Sequence, residues 1–463
     1  MINEKDFDIF SLPASAKIHF IGIGGISMSG LAQILLKRGY NVTGSDRNES
    51  EIVKKLKQLG AQIYIGHDAK NVDGASLVVH TAAVHDDNPE MKAAKEQNIP
   101  LITRAVCLGS IMKHYKYAVG VSGTHGKTTT TSMLAHALIH AQKDPTISVG
   151  GELDIIGGNI KVGQSDYFVT EACEYTNSFL HFFPTVALIT NIEEDHLDFF
   201  SGIDEIIESF RKFALLTKGK GKVVAMGADK NVQKAIANID CDTVTYAIDG
   251  DYDYTAANIV YKGGFAEFDV MKKNVGKLCT VSLHVPGDHN ILNALATIAV
   301  CDCLGVDAET AAKGIETFKG THRRFEYKGK LGGAVVIDDY AHHPTEIKAT
   351  LTAAKAFDHN KLWCVFQPHT YTRTKTLWNE FVTAFDNADE LIITDIYAAR
   401  EQPDGVTKPE NLVRDIKARG VNARYIKEFA DIEKVLKDES ADGDMIFTMG
   451  AGNVVEIGEH LVK

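Results

Sequence analysis

The densest chemistry in the chain sits at Ser122-Gly123-Thr124-His125-Gly126-Lys127-Thr128-Thr129-Thr130. Glycines let backbone amides turn inward around a phosphate, and a following helix adds its positive end. A lysine neutralises phosphoryl charge, and a threonine hydroxyl offers a ligand to Mg2+. Gly123, Thr124, His125, Gly126, Lys127, Thr128 and Thr129 are therefore a candidate triphosphate cradle. The match to G-x-x-x-x-G-K-[ST] is not strict, because the first glycine would fall at Val121. A looser cluster lies upstream, Gly22-Ile23-Gly24-Gly25-Ile26-Ser27-Met28-Ser29-Gly30. Alone it suggests a dinucleotide-type phosphate loop, with Asp46 reaching a ribose or base about 20 residues on. A nucleotide-linked substrate suits it as well as NAD does, and a generic tight turn explains it too.

Acids and histidines follow several apolar runs. Glu171-Ala172-Cys173-Glu174 comes after Tyr167-Phe168-Val169-Thr170, and Thr190-Asn191-Ile192-Glu193-Glu194-Asp195-His196 closes another run. Carboxylates and an imidazole at strand ends face the ligand crevice of an open α/β sheet, where they can hold Mg2+ beside phosphates. Solvated loop acids and a capping Asp195 are the plainer reading. Gly287-Asp288-His289-Asn290 opens a helix with Asn290 as its expected N-cap; Asn293 lies about one turn on, so both amides can face a purine or a phosphate. Arg323-Arg324 sits at a boundary, where an arginine can reach a γ-phosphate on domain closure. Asp338-Asp339-Tyr340-Ala341-His342-His343-Pro344-Thr345-Glu346 ends a strand and caps a helix, leaving Asp339, Tyr340 and His342 aimed at the crevice. Arg373, after Phe366-Gln367-Pro368-His369, suits a carboxylate.

The elements that must position these residues alternate between short apolar runs and helical patterns, the signature of α/β architecture with mainly parallel sheets. Strands are expected at Ile18-His19-Phe20-Ile21, Asn41-Val42-Thr43-Gly44, Val78-Val79-His80-Thr81, Ala118-Val119-Gly120-Val121 and Val186-Ala187-Leu188-Ile189-Thr190. Residues 246–285 alternate like antiparallel β. A third unit holds strands at 334–337, 362–366, 391–394 and 445–448, with helices at 346–356 and 375–385.

With 463 residues, 44% hydrophobic and 24% charged, the chain reads as a globular protein of about three domains. Forty-nine Lys and Arg against 61 Asp and Glu give a formal net charge of −12. No global field draws such a chain to nucleic acid, so any phosphate site is local. No apolar stretch is long enough for a membrane span, and Met1-Ile2-Asn3-Glu4-Lys5-Asp6 lacks the apolar core of a secretion signal. Seven cysteines without paired CxxC spacing, Cys301 and Cys303 among them, are expected to be free thiols, mostly buried, as in a reducing cytoplasm.

Taken in order, 22–30, 123–129, 171–174, 190–196, 287–293, Arg323-Arg324 and 338–346 resemble the Mur ligase family of ATP-dependent amide-forming enzymes over essentially the whole chain. The resemblance implies a Rossmann-like UDP-sugar domain at 1–114, a central P-loop ATPase-type α/β domain at 115–318, and a Rossmann-like domain at 319–463 that closes over ATP and the amino acid. It implies a cytoplasmic enzyme that activates UDP-N-acetylmuramate as an acyl phosphate and couples it to L-alanine; oligomeric state is left open. It assigns Lys127 to the phosphates, Thr128 and Glu171 to one Mg2+ and His196 to a second, with Lys127, Glu171, His196 and Arg324 as the catalytic set. It places Asn290 at the adenine, Asn293 and Arg324 near the phosphates, and Asp339 on the nucleotide. Tyr340, His342 and Arg373 fall to the amino acid; Gly22, Gly24, Gly25, Ile26, Ser27, Met28, Asp46, His67 and Arg104 fall to the UDP-sugar.

This chain has Ser27 where the family suggests glycine, Thr370 where arginine is frequent, Cys173 in place of an acid, and Asn453 where aspartate is common. A ligase that recycles a whole tripeptide onto the same sugar, an NAD-dependent oxidoreductase and a non-catalytic nucleotide sensor remain as alternatives.

Overall fold

The computed structural model describes residues 7–81, 84–399 and 401–463, so the N-terminal hexapeptide lies outside the described residues. The chain divides into two compact units. One comprises Met1–Ile192, Asp204–Tyr246 and Ala296–Gly314; the other comprises Glu193–Ile203, Ala247–Leu295 and Ile315–Lys463.

The first unit begins with a five-stranded parallel sheet. Its order is Gln62–Ile65, Asn41–Asp46, Lys17–Ile21, Leu77–His80 and Leu101–Thr103. Lys17–Ile21 sits centrally because His19, Phe20 and Ile21 are all fully buried, as a strand covered on both faces requires. The glycine loop leaves its C-terminal end and enters helix Ile26–Lys37. The same unit then builds a second parallel set, Asp242–Tyr246, Lys222–Met226, Val186–Ile189, Tyr117–Ser122, Tyr167–Glu171 and Thr146–Leu153, with Gly158–Lys161 antiparallel at its edge. Strand Tyr117–Ser122 feeds helix Lys127–His140, the geometry that a phosphate loop needs.

The second unit contains an antiparallel meander, Tyr254–Lys262, Phe265–Lys272 and Gly276–Ser282. The expected antiparallel stretch thus begins later than 246: Tyr246 is the buried last residue of a parallel strand. The unit also holds a six-stranded sheet ordered Glu326–Leu331, Ala334–Asp339, Met445–Met449, Leu362–Phe366, Glu390–Ile393 and Asn422–Tyr425. Only the first edge is antiparallel. Phe366, Phe381, Phe385, Leu391 and Phe447 pack in the core on one face of it.

Two other expectations are corrected. The helix expected at 375–385 is two short helices, Tyr371–Thr376 and Trp378–Val382, broken at Leu377, whose φ of −98° and ψ of 28° leave the helical region. The helix opening near Asn290 starts at Asp288, so Asn290 lies inside the first turn and is not its cap. None of the seven cysteines is in a disulfide; Cys301 is buried and Cys303 partly so. Among the described residues no helix is long and apolar enough to cross a membrane.

Candidate functional site

In the first unit, residues 123–126 make a turn that only glycine permits at two points. Gly126 caps the helix at φ +83° and Gly123 stands at φ +135°, where a Cβ would collide with Thr190 Oγ1. Thr190 and Asn191, just past strand Val186–Ile189, brace the loop. The Thr190 hydroxyl lies 2.7 Å from the His125 carbonyl and 3.1 Å from that of Ser122. The His125 amide donates to Asn191 Oδ1 at 2.8 Å and the Thr124 amide to the Asn191 carbonyl at 3.1 Å. The opening amides of helix Lys127–His140 have no carbonyl behind them within the helix, so they are suited to an anion. Thr128 and Thr129 are half-buried on that turn.

Lys127 Nζ folds back over the loop. It donates to the Gly123 carbonyl, to the Thr124 carbonyl at 3.1 Å, and pairs with Glu174 at 3.3 Å. Burial pulls its pKa down, but the carboxylates of Glu174 and Glu171 outweigh burial and hold it above the usual lysine range. The ammonium is therefore a fixed positive charge at the loop. Glu171 ends strand Tyr167–Glu171 and accepts from the Gly150 amide at 2.6 Å. A Cβ at Gly150 would sit 2.9 Å from both Glu171 oxygens, so glycine there leaves room for the carboxylate. Thr128 hydroxyl and Glu171 carboxylate are hard oxygen donors on neighbouring elements, the set Mg2+ takes together with water and phosphate oxygens.

The upstream loop of the same unit is built differently. Gly22 turns at φ +79°, and the amides of Gly22 and Ile23 donate to the Ser45 carbonyl at 2.9 and 3.0 Å. Asp46, expected to reach a ribose, accepts from the Gly24 amide at 2.9 Å and from the Asn48 amide at 3.3 Å. Gly25 caps helix Ile26–Lys37; Ile26 is exposed and Met28 buried. Ser27 Oγ accepts from Arg104 Nη1 at 2.9 Å, which joins two residues expected at one ligand. His67 follows strand Gln62–Ile65 and meets buried Glu90.

In the second unit Asp339, Tyr340 and His342 lie at or just past the C-terminal end of strand Ala334–Asp339, and Arg373 follows strand Leu362–Phe366. Asp339 accepts from the amides of Ala341 at 2.7 Å and Phe325 at 2.9 Å, and burial pushes its carboxyl up to about 6 despite nearby Arg324. Arg323 is anchored to Asp338 at 2.9 Å and to the carbonyls of Gly450 and Gly452. Arg323 and Arg324 lie over the Tyr340 ring at 5.0 and 5.1 Å, and Arg324 is 3.8 Å from Glu346. Arg373, expected to take a carboxylate, holds that of Asp195 at 2.8 Å. Burial would raise Asp195, but Arg373 and His196 hold it well below the usual carboxylate range. His196 stands at φ +53° with its amide donating to Asp195 Oδ1 at 2.7 Å. The rings of His342 and His369 meet at 5.7 Å, and burial pulls both down to about 4. Asn290 and Asn293 are bonded to each other at 2.9 Å, with Asn290 Nδ2 donating to the Pro286 carbonyl at 2.7 Å.

Residue types alone gave no role to Glu174, to Asp195 as partner of Arg373, or to His369. Glu174 carried a signal, an acid beside Glu171 after a strand. His369 had one too, following Pro368 directly after a strand, where the chain must turn into the crevice.

Three family models match in sequence: Mur ligase family, catalytic domain, at residues 17–116; Mur ligase middle domain at 121–301; and Mur ligase, glutamate ligase domain, at 323–452. A UDP-N-acetylmuramate--L-alanine ligase of Clostridium botulinum (strain Hall) is 54% identical over 447 residues, covering 96% of this chain and 97% of its own. The crystal structure of a UDP-N-acetylmuramate-alanine ligase from Thermotoga maritima superposes with a TM-score of 0.79 at 32% identity, covering 96% of this chain and 98% of that one. A murein peptide ligase from Psychrobacter arcticus gives 0.70 at 26% identity, covering 96% and 98%. The chain belongs to the Mur ligase family.

Proposed function

We propose that the protein is an ATP-dependent ligase that joins L-alanine to the lactyl carboxylate of UDP-N-acetylmuramate, forming ADP and phosphate, as a step in building peptidoglycan precursors in the cytoplasm. The observation that carries this is the 54% identity along 96% of the chain to a protein named for that reaction. We read the chain as three domains, 1–114 for the UDP-sugar, 115–318 for ATP and 319–463 for closure over ATP and the amino acid.

A carboxylate is a poor electrophile at neutral pH, so it must first be activated. A lactyl carboxylate oxygen attacks the γ-phosphorus, the bond to ADP breaks, and an acyl phosphate results. The alanine amine then attacks the acyl carbon, loses a proton, and phosphate leaves. Two anions must approach for the first step. Gly123–Thr129 amides and Lys127 receive the triphosphate, and Arg324 adds charge from the 319–463 domain. Thr128 and Glu171 would hold one Mg2+ and His196 a second; bound Mg2+ screens the phosphate and carboxylate charges. Lys127 need not be recruited as a cation, since Glu174 already keeps it protonated. Asn290 and Asn293 are assigned to adenine and phosphate, and Asp339 to the nucleotide. Arg373, with Tyr340 and His342, receives the amino acid; its present partner, a carboxylate, is the group an amino acid would offer. Gly22, Gly24, Gly25, Ile26, Ser27, Met28, Asp46, His67 and Arg104 hold the UDP-sugar.

The test is phosphate release with ATP, Mg2+ and UDP-N-acetylmuramate across a panel of amino acids and the tripeptide. L-Alanine is expected to give the highest kcat/KM. Release driven by the tripeptide and not by alanine would assign the recycling reaction, and release needing neither sugar nor amino acid would sink both.

A further inference from the structure

Beneath the first glycine loop lies a charge that the reaction does not use. Glu90 is fully buried, although an ionised carboxylate is costly to take out of water. It sits in the first turn of helix Pro89–Glu96, whose N-terminus favours an anion. Two strands, a strand end and the short 3-10 helix Ala69–Val72 supply its partners. Ser45 Oγ donates at 2.6 Å, Asn71 Nδ2 donates at 2.6 Å, and His67 Nδ1 lies 3.0 Å away. His19 Nε2 is 3.7 Å from the other oxygen, while its Nδ1 bonds Thr43 Oγ1 at 2.9 Å. Burial pushes the Glu90 carboxyl up, yet His19 and the hydrogen bonds from Ser45 and Asn71 prevail and hold it below its ordinary value, so it accepts and does not donate.

Of the imidazoles on this carboxylate, His19 is 0% exposed and His67 is 19% exposed. His67 Nδ1 is committed to buried Glu90 and Ser45, so the accessible part of the ring is its other edge. His67 follows a parallel strand, where ligands of such sheets bind.

We propose that Glu90 is a positioning residue for the sugar nucleotide: its carboxylate keeps a proton on His67 Nδ1 and fixes the ring, so that Nε2 is the atom offered to the ligand. In the neutral ring Nε2 then carries a lone pair and accepts from a hydroxyl or N–H of the uridine, in preference to a phosphate oxygen. The inference rests on the reading of His67 as a UDP-sugar residue. It explains why a carboxylate is buried here at all: an apolar residue would not set the tautomer.

The experiment uses the full chain, with UDP as the binding probe and UDP-N-acetylmuramate as substrate. His67→Ala is expected to weaken UDP about tenfold. Glu90→Gln keeps the shape but loses the charge; it is expected to weaken UDP severalfold and raise KM for the sugar nucleotide, with kcat lowered less than about twofold. In the His67→Ala background, Glu90→Gln should have no further effect on UDP affinity. If the two losses multiply, Glu90 does not act through His67 and the inference falls while the site reading stands. If His67→Ala binds UDP as the wild type does, the site reading falls and takes the inference with it. Nitrogen-15 shifts of the wild-type imidazoles give a readout that needs no variant to fold. A neutral His67 protonated on Nδ1 supports the proposal; a neutral ring protonated on Nε2, or a ring protonated on both nitrogens, overturns it.

Discussion

Two loops of the first unit follow the same plan, a parallel strand, a glycine turn and a helix, yet they are finished in opposite ways. At 22–25 the turn is closed by an acid: Asp46 accepts from the Gly24 amide, and a cation, Arg104, is borrowed from another helix through Ser27. At 123–126 the turn is closed by a cation: Lys127 begins the helix itself and is charged by Glu174. The first arrangement suits a ligand read by neighbouring side chains. The second suits one whose negative charge must be gripped while it moves. The shared plan is only a scaffold, and the charge placed at the turn decides what the loop can do.

The strongest way to break this contrast is to remove divalent metal. Chelation is expected to abolish phosphate release while UDP binding, measured by calorimetry, stays within a factor of about two. Loss of both would mean the loops are not chemically separate. Next comes Lys127→Ala, expected to lower kcat on the order of 10²–10³-fold with the same indifference in UDP affinity; wild-type turnover would end the assignment of the phosphate loop. Third are matched glycine substitutions. Gly22→Ala meets no atom within 4 Å, so it bears the positive φ alone, about 1 kcal/mol. Gly123→Ala adds a collision with Thr190 Oγ1 and should cost clearly more stability, with the larger loss of ATP turnover. Thermal melts of the pair check the order, and equal shifts would show that the brace at Thr190 yields easily.

Local patterns made much of this legible. Strand Leu362–Phe366 lies at the expected residues, and the helix expected at 346–356 lies two residues earlier, at Pro344–Ala354, because an all-apolar run and a Pro-Thr-Glu start are signals carried by consecutive residues. Strands Gln62–Ile65 and Leu101–Thr103 were not foreseen: the first is a short edge strand with no fully buried residue, the second only three residues long. The break at Leu377 was missed because apolar spacing continues across it. The site follows the same rule. Residues adjacent in sequence, from Gly123 to Lys127, announced themselves. Pairings that need the fold did not, and Lys127 with Glu174, Arg373 with Asp195 and His67 with Glu90 are each separated by many positions.

The smallest effect is the one that bears most on how the first loop borrows its cation. Ser27 has a partner in the fold: its hydroxyl accepts from Arg104 Nη1 at 2.9 Å. Burial lowers the Arg104 pKa, so a nearby acceptor is worth more to it than it would be in water. Ser27→Gly removes that acceptor and loosens the first turn of helix Ile26–Lys37, together about 1–2 kcal/mol, or a few degrees in Tm. If the bond holds Arg104 ready for the ligand, KM for UDP-N-acetylmuramate should rise about two- to threefold with kcat unchanged. A fall in KM would mean that Ser27 competes with the ligand for the guanidinium. The first loop would then restrain its cation much as the second does, where Glu174 sits on Lys127, and the contrast between them would narrow to where each cation comes from.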